Sequence, residues 1–467
     1  MTAATPAPPG ALAELRALVR RAENLLFPPA AGPSQNPRGV LAAALPEWPG
    51  LLLAFLVAIS VAVLLEQIIS VQPIPPGGDP GEWTSTSFAY AGLPYPSWII
   101  PGQYPPLLFP LLGLLVRLAG GAAGGAKAYV GVVAVLIGLS TYFLARGLTR
   151  RRSTALVAEA LVLLNPSFLQ MFFWGAYPNL LGFVFLNLSL AFLVRYIRSR
   201  RPLHLLLFWA AAAAGVLTHS LVGAIELGTI GLVLLMALSI RVLPRAIVRS
   251  RAGLAGIGLF VGSIGTYYGL TYLLKIHHPN YFQSGAFAYV KNGLGAIFYL
   301  LARPFVPAFR VPITTALPLI LIIVGVLTLY ILGMRMFWKN RMTLGTMVTV
   351  SLALAPTGLA AVGWELSVVT DYVRFGYFLV TPVAIGLALF LDWFMSGLAR
   401  RAARAVAAPG APGHPPRTSW LAPGIVADAP AGNALFAFAV VIVFGVSALV
   451  TVPALPMYEA NNTKEAH

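Results

Sequence analysis

Residues 77–110 read GGDPGEWTSTSFAYAGLPYPSWIIPGQYPPLLFP, and this stretch decides how the rest of the chain is interpreted. It follows the first long apolar run and carries two carboxylates, Asp79 and Glu82, among aromatic residues. It contains no Lys or Arg, although the whole chain has 31 of them and a formal net charge of +17. An acidic, aromatic segment in a strongly basic chain calls for an explanation from its position.

The composition around this segment is that of a membrane protein. Of 467 residues, 58% are hydrophobic and 10% are charged, and the mean hydropathy is +0.82. Soluble domains are nearer half apolar and a quarter charged. We predict an all-α polytopic bundle of about eleven transmembrane helices, each near the length that crosses a bilayer. The predicted spans are 51–70, 127–146, 154–171, 178–195, 203–222, 224–240, 252–274, 313–334, 343–363, 374–396 and 432–454.

The basic residues sort to one side of these spans. With the N-terminus inside, the N-terminal segment and the even-numbered connections hold 23 of the 31 Lys and Arg residues. Cytoplasmic loops are enriched in Lys and Arg, so we predict a multi-pass plasma-membrane protein with a cytoplasmic N-terminus and an extracytoplasmic C-terminus. Segment 77–110 then lies outside, which explains its lack of basic residues. Since the basic residues encode topology, we expect no nucleic-acid partner, only membrane lipids and a substrate.

The same rule organises the remaining segments. Residues 105–118 are rejected as a span, because a span there would invert the later loops, and we predict an amphipathic helix at the outer surface. The chain divides into a cytoplasmic Ala/Pro-rich segment, a transmembrane domain and an extracytoplasmic tail, at 1–49, 50–456 and 457–467. The domain includes outer loops at 71–126 and 275–312 and a Pro/Gly/Ala-rich inner loop at 399–431, which we predict to be flexible. The absence of cysteine excludes disulfide frameworks and thiolate metal sites.

Asp79 is the first candidate for chemistry. A carboxylate beside the membrane interface can accept a proton from a sugar hydroxyl or bind a cation. The alternative is an ordinary solvated loop acid. Glu82 follows three residues later, so a helical turn would put both carboxylates on one face. The spacing alone does not choose between these interpretations.

An aromatic turn, FFWGAYPNLLGF at 172–183, is the second candidate. Trp174 and Tyr177 have faces that stack on sugar rings, and Asn179 has an amide that can hydrogen-bond a sugar. The alternative is an aromatic belt at the membrane interface with a Gly-Pro turn. On the first interpretation these residues bind the acceptor or the sugar.

His219 and Glu226 form the third candidate, in the stretch THSLVGAIE near the outer end of a helix pair. Ionisable groups at membrane depth are costly and usually face a cavity. Seven residues apart, the two side chains can share a helix face. A divalent metal is possible here, but two ligands are too few to define its site. The metal ligands therefore stay unknown, and no cofactor is certain. We predict that His219 and Glu226, like Glu82, bind the acceptor or its sugar.

The fourth candidate is a set of outer basic residues that break the charge rule. A lipid-linked sugar phosphate needs cations to stabilise its leaving phosphate. Arg374 begins a predicted span and is the first choice; the alternative is a salt bridge to Asp371 three residues earlier, or binding of lipid headgroups. The predicted phosphate-binding residues are Arg374, Lys275, His278 and Arg303.

The order of these features resembles the GT-C superfamily of membrane glycosyltransferases, over roughly residues 50–200. Asp79, a Trp a few residues later, and the signature Tyr104-Pro105-Pro106-Leu107 are similar to mannosyl-, arabinosyl- and aminoarabinosyl-transferase-like members. The resemblance implies a GT-C-like bundle with juxtamembrane helices in the first outer loop. It implies a polyprenyl-phosphate sugar donor, and it makes Asp79 the base, or a ligand of the acceptor or of a metal. Tyr104 falls in the acceptor site.

We therefore expect a hexosyl- or pentosyl-transferase of the cell envelope that acts on a lipid or glycan acceptor and inverts the anomeric carbon. The sequence Asp-Pro-Gly-Glu, without paired acids or a large outer domain, argues against protein N-glycosylation. Two alternatives stay open: a non-catalytic subunit of the same fold, and a transporter or lipid flippase. A transporter would place ionisable residues deep in its spans or break helices near the midplane, whereas Asp79, Glu82 and Glu226 are placed near outer ends.

Overall fold

Helices dominate because a helix satisfies its own backbone polar groups within one apolar segment. The computed structural model of the chain describes residues 48–70, 79–97, 99, 102, 104–149, 151–165, 168, 171–172, 175–239, 250–274, 328, 331–332, 334–335, 338, 343–366 and 372–406. The regular elements within these ranges are all helical. They are α1 (Trp48–Ser70), α2 (Asp79–Ala91), α3 (Leu108–Leu118), α4 (Ala122–Thr149), α5 (Arg152–Leu163), α6 (Tyr177–Ser199), α7 (Pro202–Thr218), α8 (Ser220–Ser239), α9 (Arg251–Leu273), α10 (Thr343–Leu366), a 3-10 helix (Tyr372–Leu379) and α11 (Val380–Val406).

Six helical stretches in the described residues are long and apolar enough to cross a membrane. They are Pro49–Gln67, Ala122–Thr149, Tyr177–Ser199, Ser220–Leu238, Arg251–Leu273 and Phe375–Phe394. Three further apolar helices are shorter, and α3, α7 and part of α10 form this group. The prediction of an all-α polytopic membrane protein is confirmed. The predicted span at 432–454, and nearly all of the one at 313–334, lie outside the described residues.

The centre of the bundle is formed by α4 and α6. In the most apolar part of each helix, 67% of the α4 residues and 83% of the α6 residues are buried. α4 packs against α1, α3, α5 and α6, while α6 also packs against α7 and α8. α9 contacts α7, and only 11% of the residues in its most apolar part are buried. The apolar residues that α1 and α9 leave exposed form the face expected to meet lipid.

One end of the bundle, which we name the arginine end, is tied together by Arg151, Arg195 and Arg198. Arg195 is 4% exposed and donates to the carbonyl oxygen of Phe143 at 3.1 Å. Its guanidinium carbon lies 3.3 Å from the centroid of the Phe143 ring. Arg198 donates to two carbonyls in the last turn of α4. Such carbonyls lack partners within their own helix, so a cation there is stabilising. Arg151 pairs with Asp392 of α11.

The turn between α7 and α8 differs in position from the prediction. The spans were placed at 203–222 and 224–240, whereas α7 ends at Thr218 and α8 begins at Ser220. His219 has an extended backbone, with φ −161° and ψ 136°, and its Nδ1 accepts the Leu221 N–H at 3.1 Å. The imidazole thus satisfies one of the free amides at the start of α8. The predicted break fell at residue 223, four residues late, although the three consecutive polar residues at 218–220 were the available signal.

Two other helix ends also differ from the predictions. The predicted span 154–171 is not one helix, because α5 ends at Leu163 and residues 164–165 are non-helical. Pro166 follows in the sequence, and a residue before proline is disfavoured in the helical region. At the other end of the chain, α11 continues to Val406, past the residue 399 at which a flexible loop was predicted to begin. Its last residues are rich in Ala and Arg, which are strong helix formers.

Candidate functional site

The acidic, aromatic segment 77–110 contains helix α2, which begins at Asp79. Pro80 is tolerated because the amide it lacks would have no helical partner in the first turn. The Thr84 hydroxyl donates to the carbonyl oxygen of Pro80 at 2.7 Å, which adds a local bond to that turn. Since 79–91 is helical, Asp79 and Glu82 lie one turn apart, as the spacing predicted. The side chain of Asp79 is outside the described part of the structure.

The start of α2 is held against the aromatic turn by three residues, Pro80, Trp83 and Gly175, which we name the Gly175 latch. The indole N–H of Trp83 donates to the carbonyl oxygen of Gly175 at 2.8 Å in a buried contact. Gly175 has φ +83°, and a Cβ added there would run into the ring of Pro80. Only glycine fits this position without strain. The latch therefore brings the first two candidate segments of the sequence into contact, and it fixes where the helix carrying Asp79 begins.

Glu82 and Tyr104 are brought together as well. The Tyr104 hydroxyl donates to Oε1 of Glu82 at 2.9 Å, and both side chains are half-buried. The ring of Tyr104 packs edge-on against Trp83, with 4.9 Å between centroids. One face of α2 therefore holds the Tyr-Pro-Pro-Leu signature in place. Leu107 continues this anchoring, since its N–H donates to the carbonyl oxygen of Leu217 at the end of α7, at 3.1 Å.

The loop between α2 and the signature is also fixed by tyrosines. The Tyr267 hydroxyl, on α9, donates to the carbonyl oxygen of Gly102 at 3.1 Å. Burial raises the pKa of Tyr90, at the end of α2, while its hydrogen bond with the backbone of Gly102 lowers it by a smaller amount. Tyr90 therefore stays neutral at physiological pH and stacks on Phe109, with 5.3 Å between ring centroids.

An open groove of about 520 Å³ adjoins the signature. Pro106 and Leu217 line one side, and α9 lines the other with Gly258, Gly262 and Tyr267 among its residues. A Cβ added at Gly258 or Gly262 would meet no atom within 4 Å, so there is open space beside both glycines. The lining is mostly apolar, which suits a hydrocarbon chain better than a sugar.

Arg374 lies in the 3-10 helix, and its side chain is outside the described residues. The ring of Phe378 in this helix packs on Phe183 of α6, with 5.6 Å between centroids. α6 begins at Tyr177 beside the latch, and α11 leads from the 3-10 helix to Asp392 at the arginine end. The backbone of Arg374 therefore lies toward the end of the bundle that carries α2, where the predicted phosphate site would be.

Tyr177 and Asn179 lie in the wall of the bundle. Tyr177 is fully buried, its ring centroid is 4.8 Å from that of Tyr129, and its carbonyl oxygen accepts the Tyr129 hydroxyl at 2.8 Å. Asn179 is 2% exposed, and its Oδ1 accepts no hydrogen bond from the described residues. In this conformation the ring of Tyr177 packs at a tilt against that of Tyr129, so any contact with a sugar would require rearrangement. Trp174 lies outside the described residues.

His219 and Glu226 have different surroundings. His219 is half-buried and caps α8, whereas Glu226 is fully buried within α8 against Gly215 of α7. Ser189 of α6 faces this carboxylate but donates to the carbonyl oxygen of Leu186 at 3.0 Å. Among the described residues, no donor satisfies either oxygen of Glu226. No group of three or more His, Cys, Asp or Glu in these ranges could hold a metal. Lys275, His278 and Arg303 fall outside them.

Sequence reasoning missed three residues that the structure makes prominent. Trp83 was recognised only as part of a motif, and Gly175 only as part of a turn; their bond joins positions 92 residues apart, which no local pattern reveals. Glu159 was absorbed into a predicted span, although it is fully buried there. The signal that could have identified Glu159 was a single acid in an apolar run.

No family model matches the chain, and no curated protein matches it. Several solved structures are similar in fold, and two of them are described here. One is the archaeal oligosaccharyltransferase AglB from Archaeoglobus fulgidus, in complex with an inhibitory peptide and a dolichol-phosphate, with 14% identity and a TM-score of 0.49. The other is ArnT from Cupriavidus metallidurans, bound to undecaprenyl phosphate, with 17% identity and a TM-score of 0.48.

The matches cover 89% and 88% of this chain. The chain spans 56% of the length of AglB and 72% of that of ArnT. The likeness is one of fold, and the roles of individual residues rest on the contacts within this chain.

Proposed function

We propose that the chain is a glycosyltransferase that moves a sugar from a polyprenyl-phosphate donor to a lipid or glycan acceptor at the extracytoplasmic face of the membrane. The observation that carries this proposal is the hydrogen bond between Glu82 and Tyr104. It joins the helix that begins with Asp79 to the signature whose Pro106 lines the apolar groove. The proposed acid and the proposed lipid groove thus lie on segments that this hydrogen bond connects, which supports a role with a lipid-linked donor.

The groove is the proposed site of the isoprenoid chain. Its glycine-lined side on α9 and its apolar residues offer shape and surface but few hydrogen-bonding groups. Burial of apolar surface is favourable and non-directional, so a repetitive hydrocarbon can bind there without specific polar contacts. AglB is in complex with a dolichol-phosphate and ArnT is bound to undecaprenyl phosphate. The same class of ligand is proposed for this chain because of the groove.

The proposed reaction is a single displacement at the anomeric carbon. Asp79 removes the proton of the acceptor hydroxyl, and the oxygen forms a bond to the anomeric carbon while the bond from that carbon to the phosphate oxygen breaks. The electron pair leaves with the polyprenyl phosphate, whose charge a cation must stabilise. Arg374 is the proposed cation, with Lys275, His278 and Arg303 as further candidates. Attack from the face opposite the leaving group inverts the anomeric carbon.

Transfer assays in membranes test the proposal directly. Membranes that contain the protein are given radiolabelled polyprenyl-phosphate hexoses and pentoses, and incorporation into extractable lipid or glycan is measured against membranes without the protein. We expect incorporation from one donor of the panel. Incorporation from none of them would contradict the proposal and favour the non-catalytic subunit or the transporter.

Filling the groove should weaken donor binding selectively. We expect Gly262→Phe to raise the KM for the lipid-linked donor about tenfold or more, because a buried phenyl ring would take the volume of several methylene groups, each contributing about 0.8 kcal/mol when buried. The measurement is initial rate against donor concentration in detergent micelles.

Gly269→Phe is the matched control. Gly269 is on the same helix and has equally open space, but it does not line the groove. It carries the same change in helix propensity, so its KM should stay near that of the wild type. Equal KM values for the two variants would place the donor lipid elsewhere.

A further inference from the structure

Glu159 is a buried acid far from the proposed site. It lies in α5, seven residues and therefore about 10 Å along the helix axis from Arg152, where α5 begins. Its exposed fraction is 0%. It packs against Gly138, well inside the membrane-crossing stretch Ala122–Thr149, so it lies within the apolar layer rather than at an interface. The proposed transfer reaction gives this residue no task.

The carboxyl group is packed against a glycine. At Gly138 of α4, an added Cβ would lie 2.9 Å from Oε1 of Glu159 and 2.8 Å from the Cβ of Ala58 on α1. The absence of a side chain at Gly138 is therefore what makes room for the carboxyl between α1, α4 and α5. Neither carboxyl oxygen receives a hydrogen bond from the described residues. A buried polar group without partners is rare and needs an explanation.

No opposite charge is placed to neutralise this acid within the described ranges. α5 packs against α1, α4 and α11. The described charged side chains on these helices are Glu66, Lys127, Arg146 and Asp392. Lys127 and Arg146 lie eleven residues before and eight residues after Gly138, more than two turns away in each direction. Asp392 is an acid and is itself engaged with Arg151 and Ser153.

The end of α5 adds to the cost of a negative charge. α5 ends at Leu163, one turn beyond Glu159, where the N–H groups of Leu164 and Asn165 bond back to Ala160 and Val162 at 3.0 and 3.2 Å. The carboxyl end of a helix carries partial negative charge, which disfavours an anion near it. An acid at membrane depth is costly and is by default a candidate functional residue.

We infer that Glu159 is a proton-binding site within the membrane domain, separate from the site at α2. Its carboxyl holds a proton as long as α4 and α5 are in contact, because ionisation would leave an unpaired charge in an apolar layer. The proton can leave only when that contact opens and water or a cation reaches the oxygen. Protonation of Glu159 and closure of the α4–α5 contact are therefore linked.

Infrared difference spectroscopy tests the protonation state. The purified full-length protein in nanodiscs is compared with Glu159→Gln at neutral pH, in the region of the C=O stretch of protonated carboxylic acids. We expect the wild type to show a band that Glu159→Gln loses and that Glu66→Gln, a half-exposed acid at the end of α1, retains. Glu159→Met, of similar length, should lose the same band. Identical spectra for the wild type and both Glu159 variants would overturn the proposal.

Thermal unfolding tests the linkage to packing. Unfolding exposes Glu159 to water, where it ionises and releases a proton, so the folded state binds more protons than the unfolded one. The sign is then fixed: stability falls as pH rises. We expect the Tm difference between Glu159→Gln and the wild type to grow from about pH 5 to pH 8 in favour of the variant, within the range in which an exposed Glu is ionised. A constant Tm difference would overturn the linkage.

Discussion

Asp79→Asn should abolish most sugar transfer and leave the fold intact. We expect the rate to fall by about 10²- to 10⁴-fold, the usual contribution of a positioned general base, because the amide keeps the shape of the carboxylate but cannot accept the proton. Asn is as good as Asp at the start of a helix, so α2 should still begin at residue 79. The measurement is the initial rate of transfer from the donor identified in the panel.

Glu82→Gln is the matched control for this variant. Gln retains a side-chain oxygen that can accept the Tyr104 hydroxyl, which now bonds to Oε1 of Glu82 at 2.9 Å. The acid three residues from Asp79 is thus neutralised without losing its structural contact, and we expect near-normal transfer. Equal activity of Asp79→Asn and the wild type would disprove the proposed base, and Glu82 and Glu226 would become the next candidates.

Gly175→Ala should have the second-largest effect, through position alone. The left-handed backbone at φ +83° costs a residue with a Cβ about 1–2 kcal/mol. The new methyl group would also displace Pro80, next to Asp79. A shift of about 1 Å in a reacting group can cost about 10²-fold in rate. We therefore expect kcat to fall by that order with little change in donor KM, since the groove is untouched.

Two further variants separate strain from displacement. Gly120→Ala carries similar strain, at φ +74°, but its Cβ would meet nothing within 4 Å. It should lower Tm to a similar degree and leave kcat near normal.

Trp83→Phe keeps an aromatic ring but leaves the buried Gly175 carbonyl without its donor, at a cost of about 1–3 kcal/mol of stability. If Gly120→Ala lowers kcat as much as Gly175→Ala does, the latch does not position Asp79.

The sequence predicted the positions of those helices that depend only on runs of neighbouring residues. Apolar lengths located α1, α4, α6 and α9 to within a few residues, since a helix that crosses a membrane is specified by its own segment. The helix at 108–118, predicted to start a few residues earlier, follows from the charge argument. The turn at His219 was misplaced, although the polar residues at 218–220 were the available signal. The helix break after Leu163 was missed, although Pro166 was the available signal.

The candidate site was predictable only in part. The pairing of Glu82 with Tyr104 agrees with their common place in one motif. The contact between Trp83 and Gly175 was not predictable, because it depends on how α2 lies across the start of α6. Tyr177 and Asn179 were chosen for their chemistry, but neither residue type reports burial. Glu159 was overlooked because averaging over a span hides one acid among many apolar residues.

The salt bridge between Arg151 and Asp392 has a consequence for biogenesis. A membrane protein is made from its N-terminus, so α5 leaves the ribosome well before α11 is synthesised. For that interval the N-terminal helices must remain associated without the salt bridge between Arg151 and Asp392. The pairing of residues 241 positions apart is thus a late step in assembly. A chain truncated before α11 would leave α5 without this salt bridge, which makes it a natural substrate for membrane quality control.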